Sequence, residues 1–333
     1  MPPDYSFVIP ILNEQETLEE LHRRLRPVME KLDGPSEVVL VDDGSVDGSF
    51  ETMCKLQEDD PRIKVVRLSR RFGHQIALTA GLDHAAGKAV IIMDGDLQDP
   101  PEVALDLAHR WREGYDVVYA VRTERTGESR IKLTTARWFY RLIGRISKVD
   151  LPADAGDFRL VDRRVVDAVS GMPEHRRYLR GMFAWVGYDQ TGVHYVRAPR
   201  HRGKTKFPLR RMFSFAVDGV VSFSTAPLRL ALAVGFVVSV LSFLLGIAAA
   251  VVKLTGLYAV PGWASIAVSM AFLGGVQLAV LGVIGEYIAG IHDEVKQRPL
   301  YLVREDRGFD RVDAAGVPER RLRDPVLRDG AGR

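Results

Sequence analysis

One cysteine in 333 residues, Cys54, excludes an internal disulfide and fits a reducing compartment. Cys54 itself reads as a small packing residue. The chain holds no G-x-x-x-x-G-K-[ST], and no G-x-G-x-x-G follows its first apolar strand. Those two absences disfavour a P-loop kinase and a dinucleotide dehydrogenase. The opening residues MPPDYSFVIP carry no basic stretch ahead of a long apolar core, so no signal peptide is expected. The net charge is only +3, too small to argue for a nucleic-acid partner. Charge is also missing from one long region: between Arg229 and Glu286 only Lys253 is charged.

That region reads as two membrane spans. Leu230 to Val252 is uncharged and as a helix would measure about 35 Å, enough to cross a hydrocarbon core of about 30 Å. A second uncharged run extends from Leu254 to Gly285, with Pro261-Gly262 near its start, and predicts a helix over about 263–287. A pair of buried core helices is the alternative, which runs of this length disfavour. Before the first span stand Arg197, Arg200, Arg202, Lys204, Lys206, Arg210, Arg211 and Arg229; after the second come Lys296, Arg298 and Arg304. The connecting loop has only Lys253. The positive-inside rule places both flanks, the N-terminal domain and both termini in the cytoplasm, at the plasma (inner) membrane.

The N-terminal part alternates strand and helix signals, in a chain long enough for about two units. Short apolar strands are expected at 7–9, 37–41, 63–68, 89–93 and 117–121, and helices at 16–31, 49–58, 74–86 and 103–112. Such alternation predicts an α/β, Rossmann-like, mainly parallel sheet with helices on both faces. Ligands of these sheets gather beyond the carboxyl ends of the strands.

The residues found there are not neutral. Strand one is followed by Pro10-Ile11-Leu12-Asn13-Glu14, strand two by Asp42-Asp43-Gly44-Ser45-Val46-Asp47-Gly48, and strand four by Asp94-Gly95-Asp96-Leu97-Gln98-Asp99. Strand five, taken as a neighbour, ends at Arg122, with Arg125 and Arg130 beyond. Asp, Gly and Pro also make ordinary turns and caps. Three acidic strand ends, however, concentrate repelling charge and imply a bound cation or a set of ligand donors. Hard oxygens at Asp94, Asp96 and Gln98 suit Mg²⁺ or Mn²⁺ bridging phosphate oxygens.

The ordered set VIPILNE (8–14), DDGSVDG (42–48), DGDLQDPP (94–101), GDFRL (156–160) and RGKTKF (202–207) resembles family 2 glycosyltransferases of the GT-A fold. Within them it is similar to the polyprenyl-phosphate group, the bactoprenol glucosyltransferases and dolichol-phosphate mannosyltransferases. The tail GEYIAGIHDEVKQRPLYLV (285–303) after two spans strengthens that likeness, although Gly290 and His292 stand where similar tails have Arg and Tyr. The resemblance implies that Pro10, Leu12, Glu14, Val41 and Asp43 hold the nucleotide, with Asp42 and Gly95 nearby. It implies metal and diphosphate at Asp94 and Asp96 with Gln98 assisting. It places Arg122, Arg202 and Lys204 at phosphates, and Asp157 near sugar and acceptor, with Asp96, Asp157 and Arg122 central to catalysis.

The implied reaction is inverting transfer from a nucleotide-diphosphate sugar, UDP-glucose preferred, to polyprenyl (undecaprenyl) phosphate, dependent on Mg²⁺ or Mn²⁺. GDP-mannose and a modified-arabinose donor stay open, as does a non-catalytic nucleotide-sugar-binding protein. A processive polysaccharide synthase usually needs more spans and a Q-x-x-R-W motif. Relatives of this kind imply a homo-oligomer. Asp157 could instead be a structural acid paired with Arg159 or Arg163. A lipid monophosphate is largely ionised at neutral pH, so Asp157 is expected to position rather than deprotonate. The expected organisation is a catalytic domain over 1–207, a juxtamembrane segment over 208–227, a membrane hairpin over 228–289 and a tail over 290–333. Ile131, Trp138, Leu142 and Ile146 recur at helical spacing among basic residues and predict an interfacial amphipathic helix over 130–148. A second interfacial segment is expected over 212–223, and a mobile tail after about Arg304.

Overall fold

The computed structural model describes residues 3–123, 155–196, 226–255 and 262–309. They belong to two compact units, one built on a sheet and one of helices. The amphipathic helix expected over 130–148, the segment 212–223, Arg125, Arg130, Arg202 and Lys204 lie outside the described residues.

The sheet unit contains β1 (Tyr5–Ile11), α1 (Gln15–Lys31), β2 (Ser36–Asp42), α2 (Ser49–Asp59), β3 (Ile63–Leu68) and α3 (His74–His84). It continues through β4 (Ala89–Ile92), α4 (Val103–Arg112), β5 (Val117–Arg122), β6 (Ala155–Asp162), α5 (Arg163–Gly171), α6 (Leu179–Trp185) and β7 (Gln190–Tyr195). The strand runs are buried on both faces, as sheets covered twice by helices require. Phe7, Ile9, Ile11, Val38 and Leu40 join Leu18, Leu21 and Leu25 of α1 and Met53 of α2 in one core. The alternate residues Val8 and Val41 face α3, where a Cβ added to Gly81 would lie 2.3 Å from Val8 Cγ1.

The strand order is β7-β5-β6-β4-β1-β2-β3-β8. Pairing is parallel for β1 with β2 and β4, β2 with β3, and β5 with β7. It is antiparallel where β6 meets β4 and β5. The mainly parallel α/β sheet is therefore as expected, with one correction. β5 is not the partner of β4, because β6 lies between them. That insertion is a long-range pairing that the local apolar pattern of 117–121 does not carry.

Pro10 sits inside β1, opposite Val41, rather than ending the strand. Val8 gives its carbonyl to Met93 on the β4 side. The nitrogen of Pro10, two residues on, faces the same way beyond the end of β4, so proline removes no ladder bond.

The chain also returns to this unit after the helices. Val303–Arg307 forms β8 antiparallel to β3. The segment expected to be mobile from about Arg304 is thus part of the sheet as far as Arg307, held by backbone pairing that its charged sequence VREDR does not advertise.

In the helical unit, α7 (Ala226–Leu254) and α8 (Trp263–Val295) pack against each other. Both are long and apolar enough to cross a membrane, with windows Ala231–Ala248 and Phe272–Val295 of mean hydropathy 2.5 and 1.6. Their apolar side chains stay exposed, among them Phe236, Phe243, Leu245, Met270 and Leu278, which a hydrocarbon surround would cover. α8 runs on past Tyr287, where the sequence pattern ends.

Candidate active site

The rim of the sheet is assembled by side chains bonding neighbouring loops. Asn13 takes a left-handed conformation, φ 55°, and its side-chain oxygen accepts from Val46 N at 2.9 Å. Ser45 Oγ and Ser49 Oγ accept from the backbone nitrogens of Asn13 and Glu14 at 3.0 and 2.9 Å. The loop after β1 is thereby stapled to the loop after β2. Pro10, Leu12 and Glu14 are half-buried along it.

The two acids after β2 point inward. Asp42 is 0% exposed, accepts from Ser45 N at 2.8 Å and pairs with Arg67 Nε at 3.3 Å. Asp43 is 2% exposed and accepts from Phe72 N at 2.7 Å and Gly73 N at 3.0 Å. Burial raises its pKa against those two donors. Gly73 takes φ 105°, a turn that favours glycine, and α3 starts on the next residue. Asp43 therefore clamps the β3–α3 loop and sets where His74 begins its helix. The Val41 side chain is fully buried beneath α3.

The loop after β4 carries the open acids. A Cβ on Gly95 would lie 2.7 Å from Ile11 Cδ1, so the turn between Asp94 and Asp96 passes close over the end of that β1 side chain. Leu97 follows at φ 59°, a costly conformation for a branched residue. Gln98, 8% exposed, gives its N–H to Asp96 Oδ1 at 3.1 Å.

His74 Nε2 lies 3.2 Å from Asp157 Oδ2 and 3.6 Å from Asp94 Oδ1. Arg180 grips Asp157 with two bonds, Nε to Oδ1 at 2.7 Å and Nη2 to Oδ2 at 3.1 Å. The sequence neighbours do other work: Arg159 Nη2 donates to Gly156 O at 2.9 Å, and Arg163 donates to the carbonyls of Ala85 and Gly87. Asp99, 1% exposed, accepts from the Tyr195 hydroxyl and faces Arg122 Nη2 at 3.6 Å. Arg122 Nε donates to the same Tyr195 hydroxyl at 3.2 Å.

These contacts divide the charges. Burial opposes the Asp157 anion, but Arg180 and His74 outweigh it and hold this carboxyl well below the usual range. His74 is pushed up to about 9, its two acidic neighbours overcoming burial. Asp94 is pushed up to about 6, by burial first and then, against the pull of His74, by Asp157, Asp96 and Asp99. Asp94 is thus a buried acid with three further carboxylates close enough to oppose its ionisation. Among the described residues, no three His, Cys, Asp or Glu side chains form a metal cage by themselves.

Residues 6–170 match the family model described as glycosyl transferase family 2. The chain is 45% identical to the uncharacterized glycosyltransferase YkcC of Bacillus subtilis (strain 168), over 92% of this chain and 95% of that protein. The chain belongs to glycosyl transferase family 2. It is also 41% identical to the bactoprenol glucosyl transferase of Shigella phage SfII, over 90% of this chain and 97% of that one. Among solved structures, mannosyl-3-phosphoglycerate synthase from Rubrobacter xylanophilus is 20% identical with a TM-score of 0.49, covering 68% of this chain and 74% of that one.

The chain is a glycosyltransferase with the GT-A sheet, and its rim brings together Asp94, Asp96, Gln98, Asp157 and Arg122. It does not bring the side chains of Val41, Asp42 and Asp43 to that surface. Sequence reasoning missed His74, Arg180 and Tyr195, and it named Asp99 among the strand-end acids without giving it a role. One signal was available for His74: it follows Ser69-Arg70-Arg71-Phe72-Gly73 at the end of a strand and opens a helix. Arg180 and Tyr195 come from elements that only the folded sheet places beside β4.

Proposed function

We propose that this glycosyltransferase moves a sugar from a nucleotide-diphosphate sugar, UDP-glucose first among the candidates, to a polyprenyl phosphate. Transfer takes place with inversion at the cytoplasmic face of the plasma membrane. The observation that carries the reading is the presence in one chain of an acid-rimmed sheet end and two helices of membrane-spanning length. Relatives named bactoprenol glucosyl transferase, aligned over nine-tenths of the chain, support the lipid acceptor.

The donor set fits a hard divalent ion. Asp94 and Asp96, with Gln98, would hold Mg²⁺ or Mn²⁺, and a site with two carboxylates suits an ion whose other ligands are phosphate and water. Burial and the neighbouring acids disfavour the Asp94 anion, and such an ion would offset both. When bound, it supplies Lewis-acid relief of the charge growing on the leaving diphosphate.

The chain's own residues do the rest. Pro10, Leu12 and Glu14 line the stapled loops against which the nucleotide would lie, while Asp42 and Asp43 hold those loops from below. Arg122, braced by Tyr195 and Asp99, presents a fixed cation to a phosphate. Arg202 and Lys204 take the same role in this reading. Asp157 is a poor base, because Arg180 holds it ionised at low pH. Its work is to orient Arg180 and His74 at the reacting centre. The acceptor phosphate already carries the attacking charge and requires no strong base.

A panel of nucleotide sugars, assayed with undecaprenyl phosphate and Mg²⁺ or Mn²⁺, tests this. Label from UDP-glucose in the lipid extract is the expected result. Transfer to water or to a soluble sugar, with none to lipid, overturns it.

A further inference from the structure

The stretch KQRPLYLV immediately follows the second apolar helix and has no part in the chemistry above. α8 ends where Gln297 turns left-handed, φ 46°. From there the chain touches three elements that build the active site. Arg298 O accepts from His175 Nε2 at 2.6 Å, just ahead of α6, which carries Arg180. Leu302 O accepts from Ser69 N at 2.8 Å, at the start of the loop that Asp43 clamps. Tyr301 OH donates to Asp83 Oδ2 at 3.0 Å, at the far end of α3, and its ring stands 6.3 Å from His84. Phe309 packs edge-on against His84 at 5.4 Å, and Lys64 Nζ lies 5.2 Å from the centre of its ring.

These contacts reach the site by short routes. Ser69 leads to Phe72 and Gly73, whose N–H groups bind Asp43. α3 begins at His74, which meets Asp94 and Asp157. Gln75 Oε1 accepts from Leu179 N at 3.0 Å, so α3 also positions the first turn of α6. In β8, Glu305 pairs in register with Arg67, the residue that neutralises Asp42.

We infer that residues 297–309 are a positioning brace, by which the chain leaving the second membrane helix holds the β3–α3 loop, α3 and α6 in the arrangement that donor binding requires. The brace covers the outer edge of β3, which would otherwise expose unpaired backbone. None of its residues meets the reacting groups; it acts through Asp43, His74 and Arg180. The inference rests on the donor reading only for its effect on nucleotide affinity.

The test uses the full chain in detergent, with Tyr301→Phe and Phe309→Ala combined, and Phe309→Tyr as a variant that keeps the ring. Amide hydrogen exchange should quicken about tenfold at 69–84 and 175–185 in the double variant, with 5–11 and 36–42 unchanged. Affinity for UDP should fall about fivefold or more, while Phe309→Tyr behaves as wild type. Unchanged exchange at 69–84 overturns the inference, as does faster exchange with unchanged UDP affinity. Uniformly faster exchange across the sheet also overturns it, since that is general loosening. A wild-type chain that fails to bind UDP overturns the donor reading instead, and the exchange data alone then decide the brace.

Discussion

Replacing Arg180 by Gln removes both of its bonds to Asp157 and leaves that carboxylate its contact with His74 at 3.2 Å. The pair is neither surface nor core: the Asp157 side chain is 11% exposed and that of Arg180 31%. Breaking a fully buried pair costs about 3–5 kcal/mol, and an exposed one contributes up to about 1 kcal/mol. Partial solvent screening puts this pair between them, at about 2 kcal/mol of coupling. A double-mutant cycle of Arg180→Gln and Asp157→Asn, followed by equilibrium denaturation in one detergent, isolates that coupling. The pH dependence has a definite sign. Asp157 is held below its unfolded value, so its contribution is present above about pH 4 and is lost as pH falls through the lower folded value. The gap between wild type and Arg180→Gln should therefore be widest at neutral pH and narrow on acidification. Single variants that add to within about 0.5 kcal/mol, or a gap that widens toward acid, refute the reasoning.

Asp96→Ala should remove more turnover than Asp157→Asn, because the first acid stands at the proposed ion and the second only orients its neighbours; equal loss with metal binding intact contradicts this. Gly81→Ala places a Cβ 2.3 Å from Val8 Cγ1 and 3.2 Å from Val41 Cγ2, and thermal denaturation should show a cost of about 1–3 kcal/mol from overpacking. His74 is raised to about 9, so its contribution to stability is complete below about pH 6.5 and is lost as pH rises through about 9. His74→Asn should flatten that alkaline loss in a melting series from pH 6 to pH 10, and an unchanged slope counts against the His74 pairing.

Much of the sheet was legible because local pattern and burial agree in its first half. Ile63–Leu68 and Val103–Arg112 are found where apolar spacing puts them, since each covers a buried face with its own side chains. β6, β7 and β8 were not, for a different reason. β6 appeared only as the motif GDFRL, and its antiparallel place between β4 and β5 depends on partners far away in sequence. In β8, Val303, Glu305 and Arg307 are half-buried between exposed Arg304 and Asp306, so charged residues occupy both faces and no apolar alternation exists to read.

The site divides along the same line. Asp94-Gly95-Asp96 stood out because its acids directly follow a buried apolar strand, a pattern that lies within a few consecutive residues. Asp42 and Asp43 were legible as acids at a strand end, but their burial and their bonds to Ser45, Phe72 and Gly73 depend on loops that the local pattern does not show. Arg180 could not be seen beforehand, since nothing in its own helix distinguishes it from other surface arginines.

The central claim is that Asp94 and Asp96 hold a divalent ion together with the diphosphate of a sugar nucleotide. Locating Mn²⁺ by its anomalous scattering in crystals of the full chain grown with UDP tests it most directly. The account predicts a single strong peak between the carboxylates of Asp94 and Asp96, touching the diphosphate. A nucleotide bound elsewhere, or bound at this rim with both carboxylates turned away from the metal, would contradict it.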